Sequence, residues 1–344
     1  MKALVKYGKG TGMVEIRDVP EPKIKEDEVL VEVKAAAICG SDLHIWHDRH
    51  PYWPPVIMGH EFSGVIAQVG EAVKAWKVGD RIVSETRTGS CGTCYTCQSG
   101  YPQVCEHKRA FGIGINGAFG KVVAVPAKLL HRLPETISFE AGAIMEPMAV
   151  CATAILERCA FQAGESAVIT GPGPIGLISL ALVKAAGAGL IGITGRNSDQ
   201  TFRAKKAEEI GADFFINVDQ TDPIKEILKR TDGLGMDMLI ETSGGAKAIL
   251  QAFEMVRRLG RICAIGITGQ EEAAIPYDRG IFKALRYDFC FSSSWTAWER
   301  SLRLVSKGLV KAEALITEVM PLEKWEKAFR LLENLEAAKV ILVP

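Results

Sequence analysis

The sequence has 344 residues, which is enough to bury a sizeable core and predicts two domains. Its 41 lysine and arginine residues balance its 41 aspartate and glutamate residues, so the formal net charge is zero. This balance argues against nucleic acid or an anionic membrane as a partner, because both require a basic surface. The 48% of hydrophobic and 24% of charged residues are typical of a folded globular protein and exclude a largely disordered one.

Neither a signal peptide nor a membrane span is visible in the sequence. The first residues alternate as a β-strand would and contain no apolar signal core, and no apolar run reaches the roughly 18 residues of a spanning helix. We therefore expect a cytoplasmic protein with no membrane partner. Nine cysteines, four of them crowded between Cys91 and Cys105, favour metal binding in a reducing compartment over a disulfide framework.

The predicted elements change in character along the chain. Residues 1–134 contain short apolar runs divided by Gly, Pro and Asp, a pattern that predicts a mostly antiparallel β domain. Residues 148–287 alternate strand and helix patterns, which predicts βαβ units around a parallel sheet. Residues 288–344 contain two helical stretches and a final strand, unlike the middle, and we expect this tail to return to the first domain.

A possible metal site is dispersed through the first domain. One thiolate, one imidazole and carboxylates are the ligand types of a catalytic zinc, which keeps one position open for water or substrate. Spacing alone makes this a weak grouping, because a lone histidine is more often a partly buried structural residue and a lone glutamate a solvated charge. The candidate ligands are Cys39, His60, Glu61 and Glu146.

Four cysteines form the strongest local motif. Cys91, Cys94 and Cys97 recur at every third position, and Cys105 follows after seven further residues. This spacing lets four thiolates surround one zinc ion, while an iron–sulfur cluster or a disulfide pair are the alternatives. A zinc ion with four thiolate ligands has no open position, so its predicted role is structural.

A glycine-rich turn predicts a dinucleotide site. Gly171, Gly173, Pro174, Ile175 and Gly176 form a G-x-G-x-x-G turn after the apolar strand SAVIT and before a helical pattern. This is the context that the dinucleotide-binding fold requires, whereas an ordinary glycine-rich turn is the alternative. Glycines allow a tight turn and close approach of the backbone, and the helix N-terminus offers free N–H groups to a pyrophosphate.

The end of the next predicted strand bears on the choice of cofactor. The strand LIGIT runs into Gly195, Arg196 and Asn197, with no acid where a ribose hydroxyl would be bound. Because an arginine attracts a 2′-phosphate, the sequence favours NADP over NAD. In the alternative, Arg196 lies over the adenine or in solvent, and Asp199 or a backbone group binds NAD. Arg203 is a further candidate for a phosphate site, but we expect it on a solvent-exposed helical face.

Together and in this order, the motifs resemble those of the zinc-dependent medium-chain dehydrogenases, the family of alcohol, sorbitol and threonine dehydrogenases. The likeness spans essentially the whole chain, through MKALV, CGSDLH, GHEFSGVI, VGDRIV, the four cysteines, MEPMAV and GPGPIGL. Glu146 in an E-P-M context and the His60–Glu61 pair are similar to the sorbitol and threonine dehydrogenase branch. Alcohol dehydrogenases place a cysteine in the region of Glu146.

The resemblance implies an α/β fold with two domains and two zinc ions per chain, one catalytic and one structural. A GroES-like β-barrel catalytic domain would comprise residues 1–147 and 288–344, and a Rossmann doubly wound parallel-sheet domain residues 148–287. The family pairs subunits through the apolar edge of the Rossmann sheet, here with the late strand RICAIGI at residues 261–267. A homotetramer or homodimer is therefore expected.

The resemblance also implies roles for the candidate residues. Cys39, His60 and Glu61 would be ligands or near-ligands of the catalytic zinc. Glu146 would bind the zinc directly or through a water molecule. Ser41 would pass the alcohol proton outward, and His44 is suited by its near-neutral titration to take it further. A histidine that merely caps a turn is the alternative for His44.

The implied reaction is oxidation of a secondary alcohol of a polyol or sugar derivative to a ketone, with hydride transfer to NAD(P). Polyol dehydrogenases of this branch tend to carry an Arg-Tyr pair where this chain has Ser-Ser-Ser-Trp at residues 292–295. The difference argues against sorbitol itself as the substrate. Ser294 and Trp295 remain candidates for lining a polyol pocket. Threonine dehydrogenases share the stretch seen here as CGSDLHIW, so L-threonine 3-dehydrogenase with NAD is the alternative. Residues 46–55, WHDRHPYWPP, are either a substrate loop or a surface connector.

Two other classes of protein are weighed against an enzyme. A cofactor-binding member of the fold that has lost its metal is disfavoured, because all four candidate ligands of the dispersed site are present. A zinc-ribbon module that binds nucleic acid is suggested only by the four cysteines, and the zero net charge and the dinucleotide turn oppose it.

Overall fold

The N-terminal part of the chain is built mainly from strands, because its apolar residues alternate with polar ones between turn residues. The computed structural model describes residues 1–344. The strands are β1 (Lys2–Lys6), β2 (Val14–Asp18), β3 (Glu28–Ala37), β4 (Val56–Ile57), β5 (Glu61–Val69), β6 (Arg81–Ser84), β7 (Arg87–Thr88), β8 (Arg109–Ala110), β9 (Val122–Pro126) and β10 (Leu130–Arg132). The helices are α1 (Gly40–Trp46), α2 (Tyr95–Gln98), α3 (Phe139–Ala143) and α4 (Met145–Ala152), the last followed by a π-helical segment, Thr153–Arg158.

The middle of the chain alternates strands and helices. Its strands read as nearly continuous apolar runs, as expected for strands that are covered on both faces. The elements are β11 (Ser166–Thr170), α5 (Pro174–Ala185), β12 (Leu190–Gly195), α6 (Arg203–Ile210), β13 (Phe214–Asn217), α7 (Pro223–Arg230), β14 (Met236–Glu241), α8 (Ala246–Met255), β15 (Val256–Ala264), α9 (Tyr277–Phe282) and β16 (Arg286–Phe289).

The C-terminal part contains two amphipathic helices and two strands. They are α10 (Trp295–Ser306), β17 (Ile316–Pro321), α11 (Trp325–Glu333) and β18 (Lys339–Val343). Short 3₁₀ segments lie at Pro102–Val104, Ala127–Leu129, Asn197–Asp199, Ala312–Leu315 and Leu322–Lys324.

Most strands of the main sheet of the first part run antiparallel around β3, whereas β17 and β18 pair in parallel. This seven-stranded sheet has the order β10-β6-β5-β3-β18-β17, and β9 also pairs with β3. The last strand β18 runs antiparallel to β3, with Ile341 opposite Ala37, so the C-terminus returns to the N-terminal sheet. Two smaller sheets, β2-β1-β4 and β7-β8, complete this part.

The middle strands form one parallel sheet of six strands in the order β13-β12-β11-β14-β15-β16. Numbered within the sheet, this order is 3-2-1-4-5-6, which is that of a dinucleotide-binding Rossmann fold. The predicted α/β fold class is therefore confirmed. The expectation that residues 261–267 form the edge of this sheet is wrong: β15 lies between β14 and β16, and β16 is the edge strand.

The chain divides into two compact units. The first comprises residues 1–147, 294–307 and 316–344, and the second residues 148–293 and 308–315. Residues 288–293 and 308–315 thus lie in the second unit, whereas the sequence assigned them to the first domain. The reason for 288–293 is that β16 continues the parallel sheet, with Asp288 opposite Cys263.

Each unit has its own hydrophobic core. In the first unit, buried residues of β3 and β5 pack with those of α11, among them Val31, Phe62 and Phe329. In the second, buried residues such as Val168 and Leu239 pack against Phe253 of α8. No helix combines the length and apolarity needed to cross a membrane.

Candidate active site

Helix α1 positions the first group of candidate residues. Cys39 immediately precedes the helix, and its backbone N–H donates to Oδ2 of Asp42 at 2.9 Å, a contact that holds the first turn. Ser41 in that turn lies 3.4 Å, Oγ to Nε2, from His60.

Strand β5 supplies the second group. His60 and Glu61 stand at its start, and both side chains are buried. Pairing of Glu61 with Ala37 at the end of β3 brings them beside Cys39, two residues further along the chain. The thiol, imidazole and carboxylate donor atoms of Cys39, His60 and Glu61 all lie within 4.8 Å of one another.

The donor set fits a zinc ion. One sulfur, one imidazole nitrogen and one carboxylate oxygen are three ligands of the kind that hold a catalytic zinc. Oε1 of Glu61 is buried and has no hydrogen-bond partner, so this carboxylate oxygen remains available to a cation. Glu146, at the start of α4, is not among the donors that converge within 4.8 Å. It interacts electrostatically with His60 and Glu61 at longer range.

Burial and neighbouring charges shift the pKa values in the cluster. Burial lowers the pKa of His60, but the neighbouring charges of Cys39 and Asp42 outweigh it and raise that pKa well above the usual value. Burial raises the pKa of Asp42, and burial with help from Glu61 raises the pKa of Glu146 to about 7. An environment that holds protons on an imidazole and on carboxyls also attracts a divalent cation.

Sequence reasoning missed two buried residues at this site. Lys339, the first residue of β18, forms an ion pair with Oε2 of Glu61 and donates to the carbonyl oxygen of Ile38 at 3.0 Å. Asp42 is fully buried, and its Oδ1 lies 3.8 Å from Nδ1 of His60, which is an ion-pair distance and longer than a hydrogen bond. Two features of the sequence could have indicated these residues. Lys339 is a charged residue in the otherwise apolar strand KVILV, and Asp42 is an acid in the first turn of the short helix α1.

Ser41 and His44 lie on one side of α1. Their separation of three residues places them as neighbours on the helix surface. His44 is exposed, unlike the buried His60. Burial and the positive charges of His50 and Arg49 lower the pKa of His44, so the ring is neutral near pH 7 and able to accept a proton.

The four-cysteine segment folds into a compact lobe. Cys94 precedes α2, Cys97 lies within it, and Cys105 follows a 3₁₀ turn. The sulfur of Cys105 is 3.8 Å from the sulfurs of both Cys91 and Cys94, and all four sulfurs lie within 4.8 Å of one another. With Zn–S bonds of about 2.3 Å, the edge of a tetrahedral site is about 3.8 Å. The four thiols therefore fit a structural zinc ion.

The glycine turn lies between β11 and α5. Gly171 has φ of +91°, which other residues rarely adopt, and a Cβ at Gly176 would collide with the carbonyl oxygen of Gly171. A Cβ at Gly173 would meet nothing within 4 Å, so this position opens onto free space. Pro174 and Ile175 begin the helix, whose first N–H groups lack partners in their own helix. The turn has the features of a pyrophosphate site.

Both positive and negative side chains lie at the end of β12, where the sequence predicted a positively charged site. The side chain of Arg196 is 74% exposed after Gly195, and its Nε is 3.5 Å from Oδ1 of Asp219, a carboxylate that sequence reasoning missed. Asp199 accepts from the backbone N–H of Arg196 at 2.9 Å and pairs with Arg203 at 3.5 Å. The expectation that Arg203 is solvent-exposed is wrong, because the residue is buried and its guanidinium pairs with Asp199.

The segments suspected of binding substrate have visible structural roles. Within residues 46–55, Trp46 packs edge-on against Trp325 and Phe329, and Tyr52 is buried beneath Lys9. Trp53 of the same segment is 52% exposed.

Ser294 and Trp295, the two pocket candidates at the start of α10, also make structural contacts within the first unit. Ser294 caps the helix by accepting from the N–H of Ala297 at 3.1 Å, and the ring of Trp295 lies 5.5 Å from that of His131. Half of the Trp295 side chain remains exposed.

Comparison with known proteins agrees with this geometry. The family model for the alcohol dehydrogenase GroES-like domain matches residues 25–135, and that for the zinc-binding dehydrogenase domain matches residues 174–307. The chain is 37% identical to a sorbitol dehydrogenase of Halalkalibacterium halodurans, over 100% of this chain and 99% of that protein. It is 35% identical to an L-threonine 3-dehydrogenase of Bacillus velezensis, with the same coverage.

Solved structures show the same two-domain architecture. A zinc-binding dehydrogenase from Sinorhizobium meliloti, bound to NADP, superposes with a TM-score of 0.92 at 30% identity, over 100% of this chain and 99% of that one. This chain therefore belongs to the zinc-dependent medium-chain dehydrogenase family. It is an enzyme of the alcohol dehydrogenase type, as the sequence predicted.

Proposed function

We propose that this enzyme oxidises a secondary alcohol of a polyol or sugar derivative to the ketone, reversibly, with hydride transfer to NAD(P). The observation that carries the proposal is the convergence of the Cys39, His60 and Glu61 donor atoms within 4.8 Å. The similarity to a sorbitol dehydrogenase supports a polyol as the substrate class. The alternative, L-threonine with NAD, has the support of a relative that is nearly as similar.

In this proposal Cys39, His60 and Glu61 hold the catalytic zinc, and Glu146 joins them directly or through water. Bound there, zinc supplies Lewis acidity that lowers the pKa of the substrate hydroxyl. Asp42 lies at an ion-pair distance from Nδ1 of the His60 ring, and Lys339 holds one oxygen of Glu61 so that the other stays free. The four cysteines of the lobe hold the second, structural zinc.

The proton released from the alcohol leaves along α1. Ser41 takes it, and His44, which is exposed and neutral, passes it to solvent. We expect Ser41→Ala to lower kcat by about 100-fold or more, as loss of a proton-transfer group does. Ser41→Thr, which keeps the hydroxyl, is the matched control. Equal kcat for the wild type and the alanine variant would remove Ser41 from the path.

The cofactor binds the Rossmann unit in this proposal. The turn from Gly171 to Gly176 receives the pyrophosphate, and the exposed guanidinium of Arg196 next to Gly195 attracts a 2′-phosphate. NADP is therefore preferred over NAD. The carboxylate of Asp219 opposes this preference, so we expect the discrimination to be modest.

We also propose a homotetramer or homodimer in the cytoplasm. Edge strand β16 and the neighbouring α9 expose large apolar side chains, with Phe289 at 74% and Phe282 at 75% exposure, and such a surface is suited to pairing of subunits. A reducing compartment keeps thiolate ligands available. A species of monomer mass in light scattering would contradict the assembly.

Initial rates of cofactor reduction with polyols, sugars and threonine, each measured with NADP and with NAD, test the function. We expect turnover of a polyol with NADP, while turnover of threonine with NAD alone would contradict the proposal. His60→Asn should lower kcat/KM more than about 100-fold, because even outer-shell changes around a metal cost about 10- to 100-fold. His107→Asn, at an exposed position outside the site, is the control.

A further inference from the structure

Three cysteines outside the sites described above converge in the Rossmann unit. Cys159 follows the π-helical segment, Cys263 lies in β15, and Cys290 follows the edge strand β16. Their sulfurs all lie within 4.8 Å of one another, the limit that the four-cysteine lobe also meets. We call these residues the three-cysteine cluster. A single buried cysteine is an ordinary apolar filler, but three sulfurs converging from separate elements form a set of metal-binding type.

A carboxylate lies beside the set, although it is not among the donors that converge within 4.8 Å. Oδ2 of Asp288 is 3.5 Å from the sulfur of Cys159. In a tetrahedral zinc site with Zn–S of about 2.3 Å and Zn–O of about 2.0 Å, the edge between sulfur and oxygen is about 3.5 Å. Asp288 stands opposite Cys263 in the parallel pairing of β15 with β16, and Cys290 is two residues further along. The alternation of side chains in a strand therefore places Asp288 and Cys290 on one face of the sheet.

The surroundings offset the charge of such a set. Three thiolates and a carboxylate carry more negative charge than a divalent ion removes. The guanidinium of Arg286 contacts the same oxygen of Asp288 at 2.8 Å, and Arg158 interacts with Cys290. Carboxylates that bind metals commonly accept a further hydrogen bond of this kind, so the contact with Arg286 is compatible with a metal ligand.

We propose that Cys159, Cys263 and Cys290 form a third metal site for one thiophilic divalent cation of the zinc type, and that Asp288, which already contacts Cys159, moves in as the fourth ligand. The first two cysteines are fully buried, and the four protein ligands leave no open position, so the role is structural. The ion ties the edge strand β16 to β15 and to the segment that ends at Arg158. This site is separate from the proposed reaction and stands or falls independently of it.

Metal analysis of the purified protein tests the proposal through a difference between variants. We expect the wild type to contain about one zinc ion per chain more than Cys290→Ala, whatever the other sites hold. Cys151→Ala removes a buried cysteine of the same unit outside the cluster and should leave the metal content unchanged. Equal zinc content in the wild type and Cys290→Ala would overturn the proposal.

A measurement on the wild type alone covers the case in which the variant fails to fold. Cys290 is only partly buried, so we expect a thiol-alkylating reagent to label it slowly in the zinc-loaded protein and faster after chelation, as located by peptide mass spectrometry. Equal labelling rates would overturn the proposal. So would an intact mass about two daltons lower than that of the reduced chain with a disulfide mapped to this cluster, because paired sulfurs are not available as three thiolate ligands.

Discussion

Replacing Lys339 by methionine should separate the stability of the catalytic cluster from its affinity for metal. The ammonium group is buried, pairs with Glu61 and donates to the carbonyl oxygen of Ile38 at 3.0 Å. Burial lowers the pKa of Lys339, but the charges of Glu61 and Cys39 outweigh it, so the group is charged at neutral pH. Methionine keeps much of the volume and removes the charge together with the hydrogen bonds that the ammonium donates.

The two expected effects have opposite signs. Without metal, the substitution leaves a buried carboxylate with no counter-charge, which destabilises a protein by about 3–5 kcal/mol. With metal bound, the cation neutralises the negative charge of Glu61. The substitution has also removed the ammonium of Lys339, which repels the cation. Unit charges a few ångströms apart interact by about 4 kcal/mol at an effective dielectric constant of about 20. We therefore expect zinc to bind at least about tenfold more tightly, which is about 1.4 kcal/mol.

Two measurements check this pair of effects. Urea unfolding in the presence of a chelator gives the free energy of unfolding of the metal-free wild type and of Lys339→Met. Competition with a zinc indicator gives the affinity of the catalytic site in both proteins. The four-cysteine lobe is unchanged in both, so its contribution cancels in the comparison.

Matched variants make the result interpretable. Lys339→Arg keeps the charge and should retain most of the stability, and Lys327→Met, at an exposed position of α11, should change the free energy of unfolding by less than about 0.5 kcal/mol. If Lys339→Met lowers both the stability and the zinc affinity, Lys339 supports the metal site instead of competing with it. The electrostatic reasoning would then be refuted.

Four further substitutions test other parts of the molecule. In the metal-free folded protein the pKa of Glu146 is raised to about 7 from its ordinary 4.5. Between these two pH values the folded state holds a proton that the unfolded state has lost. The free energy of unfolding therefore falls as the pH rises through this range, by up to about 3 kcal/mol. Glu146→Gln should abolish this part of the pH dependence, measured by urea unfolding between pH 5 and about 7.5. Arg196→Ala should lower kcat/KM with NADP about fivefold and leave that with NAD nearly unchanged, because an exposed ion pair contributes about 1 kcal/mol. Asp219→Asn should shift the ratio of the two kcat/KM values toward NADP. Cys105→Ser should lower the zinc content by about one ion per chain and make the lobe sensitive to limited proteolysis.

Each of these outcomes has a contrary result. A pH dependence that survives in Glu146→Gln would place the titrating group elsewhere in the cluster. Equal losses with NADP and NAD for Arg196→Ala would mean that this side chain contacts a part common to both cofactors. An unchanged zinc content in Cys105→Ser would show that the lobe holds its shape without metal.

Features that depend on neighbouring residues could be predicted from the sequence. The lobe cysteines fall within fifteen residues, and the glycine turn follows directly on its strand, so local backbone geometry determines their arrangement. The alternation of strand and helix patterns likewise predicted the parallel sheet, because burial on both faces requires continuous apolar strands. The choice of β15 as the edge was wrong because strand order is set by pairing between distant segments.

Only the tertiary structure determined which distant residues complete the catalytic cluster. Ala37 pairs with Glu61 on one side and with Ile341 on the other, and this register carries Lys339 to Glu61 across 278 positions of sequence. The three-cysteine cluster arises in the same way from the pairing of β15 with β16. Composition and motifs hold no information on such registers, because they follow from the packing of whole strands against a shared core. The sequence by itself determined the ligand types and the fold class, and the strand registers decided which side chains meet.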